Sequence, residues 1–386
     1  MANLVSQLAF SLFVMTVCIP SMQDWPATFG ASQAAVQLTF SAFVAAFGGM
    51  QLVYGALSDR LGRKPVLVAG LALACAGGVL AALAPDLVVL TSARVLQGMG
   101  VASGMVTARA MVQDLFTGRE RTRMMAFIGM AMGLTPPLGT IVGGQLHVRF
   151  GWQANFWLVA AAAAVLLVAA QAGLPAPVRS APRGGSDWRN LLGGYGRLMR
   201  EPAFVHAVVV LATMTAAFYT FLGGAPIVLK AYGVTPDTLG WYVMCIPLSY
   251  VAGNVLTTRL IATRGDRFLM LLGQASTFAG IVIVVALGLA GVREPLGIAL
   301  PLTLLGIGHG LLAPVILTRT VGLIAALAGS AAALAGVMQQ VTGAIAGYVI
   351  GLVPAPGQLS LGMLMLGWTL AGLASQLLLI ARIRRG

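Results

Sequence analysis

The chain has 386 residues, 59% of them hydrophobic and only 9% charged, with a mean hydropathy of +0.92. A soluble domain carries about 25% charged residues, so a water-soluble fold is excluded. The net charge of +13 comes without a basic patch interleaved with aromatics, which points to membrane orientation and away from nucleic acid.

A bilayer core of about 30 Å takes about 20 apolar residues per helix at about 1.5 Å each, so the length allows around twelve spans with short loops. The first apolar run, 4–22, has no basic residue before it and no small-residue cleavage site, and is expected to stay as a span rather than leave as a signal peptide. Asp24 follows at its far end. A second run, 34–57, leads into Gly55-Ala-Leu-Ser-Asp59-Arg60-Leu-Gly62-Arg63-Lys64-Pro65 before a third, 66–84. Here Gly55 is expected to permit close helix approach, Gly62 a tight turn, and Asp59 a pairing with Arg63 or with a helix N-terminus. The charges of this loop, including Arg60 and Lys64, read as a cytoplasmic latch, the alternative being a solvated loop held by orientation alone.

The fourth run, 87–110, contains Arg94-Val-Leu-Gln97-Gly98-Met-Gly100. An arginine inside a span is costly unless partnered or hydrated, so Arg94 and Gln97 are read as cavity or coupling residues, with snorkelling of the guanidinium to the outer interface as the alternative. The fifth run, 123–147, carries Gly129, Gly133, Pro136, Pro137, Gly139, Gly143 and Gly144, a small-residue face with an expected kink; ordinary close packing also explains it. The sixth is 152–173.

A polar stretch, 174–202, with Pro175, Pro177, Pro182, Gly184, Gly185 and five arginines, reads as a linker between halves. Six further runs follow at 203–226, 238–258, 268–291, 296–318, 329–353 and 359–381. His309 lies near the middle of the tenth, in Gly306-Ile-Gly308-His309-Gly310, where it is either a titrating group beside ligand or solvent or a neutral side chain bonded to a neighbouring helix. Asn254, Gln339 and Gln340 must find helix partners or line a cavity. Phe40, Phe43, Phe47, Tyr54, Phe218 and Tyr219 either form an adaptable apolar wall or face lipid. His147 and His206 fall at span ends, where no special role is needed. With both termini inside, nineteen of the 23 Lys and Arg sit in inward-facing segments, against Arg149, Lys230 and Arg293 outside and Arg94 within a span.

The segment 55–65 matches the G-x-x-x-D-R-x-G-R-K signature of the major facilitator superfamily, and 94–100 resembles its R-x-x-Q-G-x-G element. The run Ala108-Arg109-Ala110-Met111-Val112-Gln113-Asp114-Leu115-Phe116 with Gly118-Arg119-Glu120, and Gly223-Gly224-Ala225-Pro226 with Tyr232-Gly233, resemble the Bcr/CflA subfamily of multidrug efflux transporters. The resemblance implies an all-α membrane fold of twelve helices in two six-helix halves, here 1–173 and 203–386, with a central cavity opening alternately to each side. It also implies export of small amphipathic drugs against inward proton flow across a bacterial cytoplasmic membrane, by a monomer without cofactor.

Two positions depart from the subfamily pattern. Thr16 stands where it has an aspartate four residues before a proline, here Pro20, and Thr140 stands where the antiporter motif of the fifth helix has proline. All ten acidic residues lie outside the middles of the runs, so a proton must load elsewhere, and Asp24 and His309 are the expected sites. A metabolite carrier without proton coupling is the rival within transport. A membrane enzyme is disfavoured, since the spans offer no HExxH or GxSxG pattern and Cys18, Cys75 and Cys245 sit singly in apolar runs.

Overall fold

A computed structural model describes residues 2–174, 188–324, 327–354 and 357–383. The linker prolines and arginines at 175–187 and the C-terminal Arg384 and Arg385 lie outside these residues. Among them there is no strand; the chain is a succession of helices. In order these are α1 (Ala2–Thr16), α2 (Trp25–Phe29), α3 (Gln33–Leu61), α4 (Arg63–Ala82), α5 (Leu87–Leu115), α6 (Gly118–Phe150), α7 (Gln153–Gly173), α8 (Trp188–Arg200), α9 (Pro202–Ala231), α10 (Pro236–Val243), α11 (Cys245–Leu289), α12 (Leu296–Ala299), α13 (Leu302–Gly322), α14 (Ala328–Leu352) and α15 (Gln358–Ile383).

Among the described residues, eleven segments are long and apolar enough to cross a membrane. One of them, Pro236–Leu289, covers two predicted spans. At about 1.5 Å per residue its 45-residue α11 would reach about 68 Å, more than twice a bilayer core. It does not run straight, because Gly265 sits at φ 72°, ψ 169° inside it. The packing shows a reversal there. Going up the first arm, Gly253 lies against Ile307 and Thr257 donates to the Gly310 carbonyl at 2.9 Å; going up the second, Gly273 lies against Gly308 and Gly280 against Pro301. One arm runs with α13 and the other against it, so the count of twelve crossings holds.

The chain gathers into two compact units, Met1–Ser186 with Thr235–Gly240, and Asp187–Val234 with Trp241–Gly386. In the first, α5 sits between α3, α4 and α1, and α4 also packs on α7. These contacts are made through missing side chains: a Cβ at Gly98 would meet the Phe43 carbonyl at 2.5 Å, at Gly100 the Ala74 nitrogen at 2.5 Å, and at Gly104 the Gln7 carbonyl at 2.7 Å. With little hydrophobic force between helices in lipid, such close approach is what holds them. Gly62, Gly70 and Gly77 of the first unit recur as Gly265, Gly273 and Gly280 in the second, each 203 positions on, and each pair plays the same part: a turn, then two contacts on the following long helix. The two units are therefore built on one plan.

The second unit's core joins α9, α13, α14, α15 and the second arm of α11 around Phe204, Leu211, Leu312 and Ile316. Within the stretch read as linker, residues Trp188–Arg200 form a helix, and Leu198 is buried in this same core. Its apolar residues are interspersed with glycine and arginine and form no run long enough to register as a span. Large apolar side chains that remain exposed, such as Val88, Leu138, Val165, Ile283 and Leu377, lie on the long helices, as a lipid solvent requires.

Candidate functional site

The turn at Gly62 is built on its φ of 94°, a left-handed value that a glycine adopts without strain. It sets Arg63 at the start of α4, where the guanidinium binds Asp59 at 2.5 Å, Asp114 at the end of α5 at 3.2 Å, and the Ser58 hydroxyl at 2.7 Å. One arginine thus holds two carboxylates from two helices. Asp59 remains 57% exposed, leaving its second oxygen accessible. Lys64 points away, donating to the carbonyls of Gln171 and Leu174, each at 2.8 Å, where α7 ends. Arg60 is exposed on the last turn of α3. The expectation for Gly55 needs correction: a Cβ there would meet no atom within 4 Å, so among the described residues it permits no close approach.

Arg94 is fully enclosed, at 0% exposure, so it does not snorkel to an interface. Its Nη1 donates to the Val14 carbonyl at 2.9 Å and to Gln97 Oε1 at 2.8 Å, Nη2 reaches the Met15 carbonyl at 3.5 Å, and the guanidinium lies 4.0 Å from the centroid of the Phe43 ring. These carbonyls belong to the last turn of α1, which ends at Thr16 and leaves its terminal carbonyls without helical donors. The motif is thereby accounted for residue by residue: Arg94 caps α1, Gly98 admits α3, Gly100 admits α4, and Gln97 fixes the guanidinium. Arg94 Nε and Gln97 Nε2 are left without a partner among the described residues. The aromatic residues Phe40, Phe43, Phe47, Tyr54 and Tyr219 are buried and so do not face lipid.

Helix α6 continues through Pro136 and Pro137 as one element, with Gly133 and Pro137 buried. Its small face is used for packing. Gly139 lies against the Thr16 hydroxyl, Gly143 against the Val17 carbonyl and Gly144 against the Pro236 carbonyl, all too close for any side chain. Thr16 and Thr140, the two departures from the subfamily pattern, thus belong to the two partners of one helix contact, Thr140 following the Gly139 that meets Thr16. Each turns its hydroxyl back on its own helix, Thr16 to Leu12 at 3.1 Å and Thr140 to Pro137 at 2.9 Å. Beyond Thr16 the chain turns through Pro20–Gln23 to Asp24, whose carboxylate meets His147 Nε2 at 2.9 Å in the last turn of α6. Sequence position alone hid this pair, which is 123 residues apart.

In the second unit His309 is 7% exposed, and its Nε2 has no partner among the described residues. Its flanking glycines are filled by helices: Gly306 by Ser249 and Ile246, Gly308 by Gly273 and Thr277, Gly310 by Tyr250 and Asn254. The space beside these three glycines is thus taken by neighbouring helices. Gln339 accepts from Thr215 at 3.2 Å and Gln340 from Tyr219 at 3.0 Å, tying α14 to α9. Arg94, Gln97 and Asp24 thus belong to one unit and His309 to the other. The structure also shows an ion pair that the reading missed, Asp266 with Arg319 at 2.9 Å. Asp266 follows Gly265 as Arg63 follows Gly62, and Arg319 lies in the last turn of α13 as Asp114 lies in the last turn of α5. The second pair copies the first with its charges reversed, which is why a motif written in residue letters passes over it.

The family model of the Major Facilitator Superfamily matches residues 4–347. Over 96% of this chain and 92% of its own length, Multidrug resistance protein D of Escherichia coli (strain K12) is 28% identical. A chloramphenicol resistance protein of Pseudomonas aeruginosa is 25% identical over 76% of this chain and 70% of its own. Among solved structures, a D-xylose–proton symporter aligns with a TM-score of 0.74 at 17% identity, covering 96% of each chain, and a peptide transporter with 0.78 at 16%, covering 99% of this chain and 93% of its own. These last two speak to the fold alone.

Proposed function

The chain belongs to the Major Facilitator Superfamily, and on that premise we propose that it exports small amphipathic molecules in exchange for protons. It is a multi-pass membrane protein and a secondary transporter, not an enzyme. The observation that carries the export reading is the likeness, over nearly the whole chain, to a multidrug resistance protein. We place it in a bacterial cytoplasmic membrane as a monomer with both termini inside, on the bias of its Lys and Arg. In this reading the halves are 1–173 and 203–386, joined by 174–202, and the site opens alternately to the two sides.

Each named side chain then has a task. The Asp59–Arg63–Asp114 cluster acts as a latch on the cytoplasmic side, and the exposed oxygen of Asp59 is the part free to exchange partners. Arg94 fixes the end of α1 to α5. The small face of α6, Gly139 to Gly144, allows α1 to slide on it without side chains to interlock. Asp24 and His309 are the groups proposed to take up the proton. A second reading, a carrier without proton coupling, is favoured by one observation: Thr16 is buried and bonded to its own helix, where it can hold no charge. The test is a drug-sensitivity screen on cells lacking their main efflux pumps. Protection against compounds of one chemotype is expected on expression, and no protection against any amphipathic compound would reject the export reading.

A further inference from the structure

We infer that His147 and Asp24 form one proton-binding site, and that loading it shifts the last turn of α6. This rests on the proposed proton linkage and on the orientation that puts the far end of the first span outside. The imidazole Nε2 lies 2.9 Å from Asp24 Oδ2, with His147 11% and Asp24 41% exposed, so the carboxylate offers the ring its route to water. Both the carboxylate and the C-terminus of α6 favour a cation at this position. An imidazole is also the side chain that changes charge between about pH 5 and 8.

What makes the site a device rather than a strut is the other ring nitrogen. His147 Nδ1 is buried without a partner among the described residues. The neutral ring satisfies this arrangement: Nε2–H donates to Asp24, and Nδ1 keeps a bare lone pair. Protonation puts the new hydrogen on Nδ1, where nothing described accepts it, and a buried donor left unpaired is costly. The charged ring is therefore drawn to Asp24 and yet misfits its pocket. It fits only once α6 moves enough to give Nδ1 an acceptor or water, and such a difference between states is what couples binding to motion. The surroundings are poised for this. The Val17 and Pro236 carbonyls touch α6 at Gly143 and Gly144, one turn before His147. Gln145 bridges the Asp237 carbonyl, at 3.4 Å, and Arg149, at 3.1 Å.

The other charged or titratable groups on the packed elements are Arg149 on α6 itself, with Arg119, Glu120, Arg121 and Arg123 at its opposite end, Asp237 on the 235–240 segment, Cys18 in the turn after α1, and Arg94, Arg109 and Asp114 on α5; α1, α2 and α7 bring none. Arg94 is occupied by the Val14 carbonyl and Gln97.

Because the chain holds only three histidines, each can be followed by histidine-selective nitrogen NMR on the protein in lipid nanodiscs, with His147→Gln, His206→Gln and His309→Gln giving the assignments. The His147 resonance should differ between samples at about pH 8 and 5, and Asp24→Asn should alter that difference. Over the same pH step, hydrogen–deuterium exchange at 144–151 should rise at least threefold in the wild type and stay flat in His147→Gln, which keeps a side-chain donor toward Asp24. A His147 resonance that does not titrate in this range, or exchange that rises equally in His147→Gln, would overturn the inference. No transport is measured here, so failure of the proton-linked reading would show separately, as a wild type that ignores a pH gradient.

Discussion

Replacing Arg94 by alanine tests whether a buried guanidinium holds the first unit together. Two hydrogen bonds at 2.8 and 2.9 Å would go, while the 3.5 Å approach to Met15 is too long to count for much. The loss leaves two enclosed acceptors, the Val14 carbonyl and Gln97 Oε1, each costing about 1–3 kcal/mol when unpaired. It also empties the volume of a large side chain beside Phe43. Against this, the variant no longer confines a charge away from water, which returns part of the loss. The balance is a destabilisation of about 2–4 kcal/mol, read as the unfolding midpoint in detergent micelles. Adding Gln97→Leu removes one of the stranded acceptors and should restore about 1–3 kcal/mol, a non-additivity that a double-mutant cycle would show. Transport should be lost in both Arg94→Ala and Arg94→Gln. An Arg94→Ala protein within about 1 kcal/mol of wild type, or one that still transports, would refute the argument that this side chain ties α5 to α1.

Asp59→Asn should insert and fold normally but lower transport several-fold, since only an exposed member of the Arg63 cluster is altered; wild-type turnover, measured per inserted molecule, would count against the latch. Gly143→Ala should abolish transport and lower stability by about 1–3 kcal/mol, as overpacking does, because the new methyl meets the Val17 backbone, whereas Gly129→Ala on the same helix, with nothing within 4 Å, should behave as wild type. Asp266→Arg and Arg319→Asp should each impair transport and the double exchange should restore most of it; equal loss in singles and double would show that the pair does not act as a pair.

The twelve spans were legible because a bilayer imposes both length and polarity on every crossing, so hydropathy and loop charge suffice. Observed helices such as Gln33–Leu61 and Pro202–Ala231 extend a turn or more past the predicted runs, since helical hydrogen bonding continues into the polar interface where hydropathy stops. The helix Trp188–Arg200 was not legible, for its apolar residues are interspersed with glycine and arginine instead of set in a run. At the site, the turn at Gly62 and the pairing of Asp59 with Arg63 followed from local spacing. What Arg94 binds did not, because its partners are carbonyls of another helix, and backbone acceptors leave no mark in residue identity. The pairs Asp24–His147 and Asp266–Arg319 escaped for a related reason: both join helices far apart in sequence, and no local spacing rule links their members.

The central claim is that substrate moves out as protons move in, and inside-out membrane vesicles test it most directly with a compound from the sensitivity screen. The account predicts that an imposed pH gradient drives accumulation, that dissipating the gradient abolishes it, and that Asp24→Asn or His309→Gln uncouples it while substrate binding stays measurable. Accumulation by both variants equal to that of the wild type would contradict the coupling assignment, and a wild type that equilibrates substrate without regard to the gradient would contradict proton-linked export itself.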